Sequence, residues 1–117
     1  MNTGFPKVEE RWREEQEERA RHSSKLRRLL LERGVPVLRS YGVRQAWLFG
    51  SVADGKAAPS SDIDILATPV TAEAFWSLRR ELEDVLGCPL DLYTERDDPI
   101  FVRKVKERGE IVYEAQS

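Results

Sequence analysis

Several kinds of residue and pattern are scarce in this chain of 117 residues, and each scarcity excludes something. There is one cysteine, Cys88, so no intramolecular disulfide can form and no cysteine spacing suggests a zinc site. There is one histidine, His22, and it sits in a charged segment, which leaves catalysis to carboxylates and metal. No charge sign dominates: 19 Lys+Arg against 21 Asp+Glu give a formal net charge of −2. A polyanion-coating surface would show a basic excess, so direct nucleic-acid binding is not expected. No apolar run approaches the ~20 residues of a membrane span, and MNTGFPKVEERWREEQ lacks the apolar centre of a signal peptide. A Gly-Lys-Ser phosphate loop and a dinucleotide-binding glycine fingerprint are both missing. An EF-hand loop fails because Leu66 stands where a third Asp or Asn is required. No internal repeat is present. With 40% hydrophobic residues, the expectation is a soluble, reduced, cytoplasmic single domain.

What is present changes character near residue 23. Lys7 to His22 is nearly all charge, with Glu9–Arg13, Glu15–Arg19 and Glu17–Arg21 paired four residues apart in support of a helix. Pro6 suits a first helical turn. Residues 1–23 therefore read as a charged helical arm whose Trp12 is a candidate partner anchor, and residues 24–117 as the folded domain. Ser23 or Ser24 could cap a new helix bearing Leu26, Leu29 and Leu30, stopped by Gly34, with a short helix from Val35 to Tyr41 after it. Ala46 to Phe49 reads as a buried strand and KAAPSS (Lys56–Ser61) as a loop. DIDILAT (Asp62–Thr68) alternates acid and aliphatic residues, as a two-faced strand does. A helix follows from Thr71 to Leu86, with Phe75, Leu78, Leu82 and Val85 inward, then a strand LDLYT (Leu90–Thr94). Another helix starts at Asp97 or Asp98 before Pro99, with Ile100, Phe101 and Val105 inward. Ile111–Tyr113 closes as a strand. Trp47 and Trp76 fall in apolar patterns and are expected in the core. The order predicts an α+β fold, a small mixed sheet of about four strands with flanking helices.

Three acids carry the chemistry. Asp62 and Asp64 lie two apart on one strand and share a face, with Ile63 and Ile65 opposite. Asp91 lies between Leu90 and Leu92 on another strand and also faces away from the buried residues. If those strands are neighbours, the three carboxylates converge, and like charges so placed call for a cation. Magnesium suits carboxylates and phosphate oxygens, and two ions could stabilise both the attacking and the leaving oxygen at phosphorus. Just upstream, Gly50 lets a phosphate approach the backbone, Ser51 can donate to it, Gly55 permits a second tight turn, and Lys56 brings positive charge.

LFGSVADGKAAPSSDIDILA followed by PLDLYT resembles the minimal nucleotidyltransferases of the DNA polymerase β-like superfamily, from about Leu26 to Tyr113. The resemblance implies that superfamily's fold and magnesium-dependent transfer of a nucleoside monophosphate, usually AMP from ATP, with two ions. Asp62 and Asp64 match its metal-bridging carboxylates. Asp91 matches the third acid, which binds the catalytic metal and helps remove the proton of the attacking hydroxyl. Gly50 and Ser51 match the triphosphate-binding turn. That turn commonly reads Gly-Ser-x-Ala-Arg-Gly, whereas here Asp54 stands in place of the arginine and Lys56 is the nearby candidate to restore the positive charge. Small members of the family are often paired with a HEPN-domain ribonuclease toxin, which they neutralise by AMPylation. The resemblance thus implies a protein AMP-transferase acting as antitoxin, in a hetero-oligomer with its toxin. Two other readings stay open. One is a non-catalytic antitoxin that binds by contact, and the other a transferase for a small hydroxylated molecule.

Overall fold

The computed structural model describes residues 5–116, so residues 1–4 of the expected arm, and Ser117, lie outside the described residues. Helix α1 (Phe5–Leu29) passes through a π-helical turn (Leu30–Gly34) into α2 (Val35–Ser40). Strand β1 (Gln45–Phe49), the short α3 (Gly50–Ala53), β2 (Ile63–Thr68), α4 (Ala72–Leu86), β3 (Leu90–Thr94), α5 (Pro99–Arg108) and β4 (Glu110–Glu114) follow. The four strands form one mixed sheet in the order β3-β2-β1-β4. Strand β2 runs antiparallel to β1 and parallel to β3, while β4 runs antiparallel to β1. This is the expected α+β architecture. Among the described residues, no helix is long and apolar enough to cross a membrane.

The period-2 alternation of the strands divides the core between the two faces of the sheet. Ala46, Leu48, Ile63, Ile65, Leu90 and Leu92 pack on one face with Leu26 and Leu30, Leu38 of α2, and Leu78 and Leu82 of α4. Trp47 and Leu66 pack on the other with Val102 and Val105 of α5. Each fully buried Leu or Ile contributes about 1.5–3 kcal/mol of transfer free energy, so the larger face dominates the stability. Helix α4 is bounded as expected. The Thr71 hydroxyl accepts from the Ala74 N–H at 3.2 Å, and Gly87 closes the helix with φ +69°.

Four expectations are corrected. No helix begins at Ser23 or Ser24, because α1 is continuous across them. Ser23 is buried, and its hydroxyl accepts from the Ala57 N–H at 2.9 Å, tying α1 to the loop before β2. Gly34 does not stop the helix: its φ is −78°, and the Val35 N–H reaches back to the Leu30 carbonyl in a π-type turn. A Cβ on Gly34 would come within 2.8 Å of Leu30 Cδ1, so its role is close packing. Trp76 is 66% exposed, with its ring edge-on to Phe75 and Arg79 over it. Ile100 is 63% exposed, and Val102 takes the inward position.

Candidate active site

The register of the sheet assembles the site. Phe49 of β1 pairs with Asp64 of β2, and Asp64 pairs with Asp91 of β3, so the three residues form one row across three strands. The alternation points Asp64 and Asp91 toward the α5 face, beyond the end of its small core. Asp62 lies two residues ahead of Asp64, just outside β2, whose first N–H (Ile63) is held by the Pro89 carbonyl at 3.1 Å. Strand pairing thus brings Asp64 and Asp91 side by side, with Asp62 near enough for its charge to act on Asp64.

The glycine turn abuts this row. Gly50 directly follows Phe49 and has φ +75°, in the left-handed region. A Cβ there would collide with Asp64 Oδ2 and lie 3.2 Å from Asp64 Cγ, so no other residue lets the turn lie against that carboxylate. Ser51 is half-buried in α3, and its carbonyl accepts from the Lys56 N–H at 2.8 Å. Gly55 has φ +73° with open space around it, so backbone conformation alone requires glycine there. Lys56 is exposed at the start of the loop. Between α3 and α5, beside Gly50, lies a pocket of about 360 Å³ whose lining includes Ala53, Asp54, Phe101, Lys104 and Arg108.

The electrostatics reflect crowded carboxylates. The pKa of Asp64 is pushed up from 3.8 to about 6, first by burial, then by the charge of Asp91 and a hydrogen bond with it, then by the charge of Asp62. Tyr93 is raised as well, by burial and then by Asp91, Asp64 and Asp97. Among the described residues, no three Asp, Glu, His or Cys side chains are gathered tightly enough to enclose an ion as they stand. The donor chemistry nonetheless fits a hard divalent cation: the charged side chains gathered at this row are carboxylates, and burial together with their mutual repulsion raises the Asp64 pKa.

Two features beside the acids are not placed there by the sequence alone, where Arg103 and Lys104 read first as a solvated helix face and only second as a triphosphate or partner contact. Phe49, Tyr93 and Phe101 form an aromatic cluster with ring centroids 4.9–5.6 Å apart, walling the acid row on its α5 side. Phe49 and Tyr93 share the face parity of Asp64 and Asp91, so the alternation held that signal. Lys104 and Arg108 reach the turn only because α5 crosses this face, which no local pattern announces.

The family described as polymerase beta, nucleotidyltransferase, matches residues 32–117. This chain belongs to that family. Its nucleotidyltransferase domain resembles a Methanocaldococcus jannaschii protein provisionally named a protein adenylyltransferase, with 40% identity over 63 residues, covering 51% of this chain and 68% of the relative. A crystal structure of a toxin–antitoxin with AMP-PNP is 27% identical with TM-score 0.57, covering 80% of this chain and 74% of that one. A structure of a tri-AMPylated Shewanella oneidensis HEPN toxin with its MNT antitoxin is 25% identical with TM-score 0.56, covering 77% and 74%.

Proposed function

We propose that this nucleotidyltransferase transfers AMP from ATP to a hydroxyl group on a HEPN-domain toxin and acts as that toxin's antitoxin. The observation that carries the reading is the side-by-side placement of Asp64 and Asp91 against the Gly50–Ser51 turn. Similarity to an antitoxin complex with an ATP analogue, and to one holding an AMPylated HEPN protein, supports the donor and the acceptor class.

In this mechanism Gly50 leaves room for the nucleotide's phosphates and the Ser51 hydroxyl donates to them. Asp62, Asp64 and Asp91 would hold magnesium, which when bound supplies charge neutralisation at the phosphoryl oxygens. Asp91 accepts the proton of the attacking hydroxyl. The hydroxyl oxygen forms a bond to the α-phosphorus as the bond to pyrophosphate breaks, and that electron pair departs with pyrophosphate. Positioning by the rigid sheet provides much of the rate.

The test is intact-mass analysis of a copurifying HEPN partner with and without Mg²⁺ and ATP. A gain of AMP units that is lost with Asp91→Asn is expected; a tightly bound partner that never changes mass would refute the catalytic role. That second outcome belongs to a contact-only antitoxin, the reading favoured by Trp12, which stands 63% exposed on α1 with Val8 one turn before it.

A further inference from the structure

Resting on the nucleotide reading above, we infer that Lys104 and Arg108 of α5 grip the polyphosphate end of the bound nucleotide, supplying the positive charge that Asp54 takes away from the Gly50–Gly55 turn. Gly50 faces two ways: it lies against the Asp64 carboxylate, and it lines the pocket between α3 and α5. Phe49 and Gly50 border both the acid row and the pocket, so phosphates that leave the acids on the α5 side of Gly50 enter it. Asp54 lines the same pocket, and a lone carboxylate there would repel a chain of phosphates. Lys104 and Arg108 line it from the opposite wall.

Their placement follows from helix geometry. The two cations are four residues apart and so share one face of α5. Arg103 and Lys106 fall on the other flank, in a separate pocket with Glu95 and Glu107, and the Lys106 ammonium lies 5.4 Å from the centre of the Trp47 ring. Helix α5 thus sorts its four cations into two pairs, and only one pair faces the turn. The end of the helix is held close to β1: a Cβ on Gly109 would meet the Val105 carbonyl at 2.7 Å and the Leu48 carbonyl at 3.2 Å. This fixes the base of Arg108 beside the turn. Lys56, the candidate suggested by chain proximity, is exposed and does not line the pocket. A basic last turn also complements the helix dipole, but that role would affect stability and would not distinguish ATP from AMP.

The test is calorimetric binding of ATP and of AMP, each with Mg²⁺, to the full chain. Lys104→Ala and Arg108→Ala should each weaken ATP about tenfold and leave AMP within about twofold. Both residues are exposed, and thermal melts of the variants check that they fold. Arg103→Ala, which removes the same charge from the other flank, should change neither affinity. In the Lys104→Ala/Arg108→Ala background, Asp54→Arg should recover much of the lost ATP affinity. Unchanged ATP binding in the double variant, equal losses for ATP and AMP, or a loss with Lys56→Ala alone would overturn the assignment while leaving the nucleotidyltransferase reading intact. A wild-type chain that binds AMP and ATP equally would overturn it too. Wild type that binds no nucleotide would overturn both.

Discussion

Neutralising Asp64 should stabilise the metal-free protein at neutral pH and do nothing for it in acid. Its pKa of about 6 in the folded chain stands above the ordinary 3.8, so the folded state holds this proton more tightly than the unfolded state does. Ionising Asp64 therefore costs stability. The cost is absent below about pH 4, grows as the pH rises toward 6, and is complete above that. A shift of about two units corresponds to roughly 3 kcal/mol at 1.36 kcal/mol per unit. Asp64 is only half-buried, and solvent screening brings the expected figure nearer to about 1 kcal/mol. Asp64→Asn removes the charge, keeps the shape, and can still donate a hydrogen bond to Asp91. In chelator at pH 7.5 it should melt roughly 4 °C above wild type, with the gap closing near pH 4. Added magnesium should raise the wild-type melting temperature at pH 7.5 and leave the variant unmoved. A variant no more stable than wild type at pH 7.5, or a gap of equal size at both pH values, would refute the crowded-carboxylate account.

Gly50→Ala and Gly55→Ala make a matched pair, since both glycines have positive φ and only Gly50 meets Asp64. Chemical denaturation should show about 1 kcal/mol lost at Gly55 and about 2–3 kcal/mol at Gly50, where the clash adds to the backbone strain, with activity lost at Gly50. Trp47→Ala should cost about 3–5 kcal/mol in the same assay, whereas Trp76→Ala, exposed beside Arg79, should cost about 1 kcal/mol or less. Asp91→Asn should lower the AMP-transfer rate by about 10²–10⁴-fold in single-turnover measurements, with a melting temperature above pH 7 no lower than that of wild type, since it relieves the repulsion on Asp64.

What could be read from the sequence was what period and spacing encode. DIDILAT and LDLYT each place their acids opposite their aliphatic residues, and the structure keeps that division: Ile63, Ile65, Leu90 and Leu92 are buried and the acids face the other way. Gly87 after a clean amphipathic stripe marked the end of α4, and Pro99 the start of α5. The errors arose where a tertiary partner overrode a local signal. Ser23 has the chemistry of a helix cap, but its hydroxyl is taken by the Ala57 N–H of a loop 34 residues away, so the helix runs on. Gly34 looks like a stop and instead makes room for Leu30. Trp76 and Ile100 are apolar and fall in apolar patterns, yet each stands mostly exposed on its helix. The site follows the same rule. Each strand reveals which face its acid occupies, but only the β2–β3 pairing puts Asp64 opposite Asp91, and only the crossing of α5 brings Lys104 and Arg108 to the turn. The acids belong to strands and the proposed phosphate grip to a helix more than a dozen residues further along. A positive charge to offset Asp54 therefore lies across the fold, because nothing beside it in the chain lines the same pocket with the opposite charge.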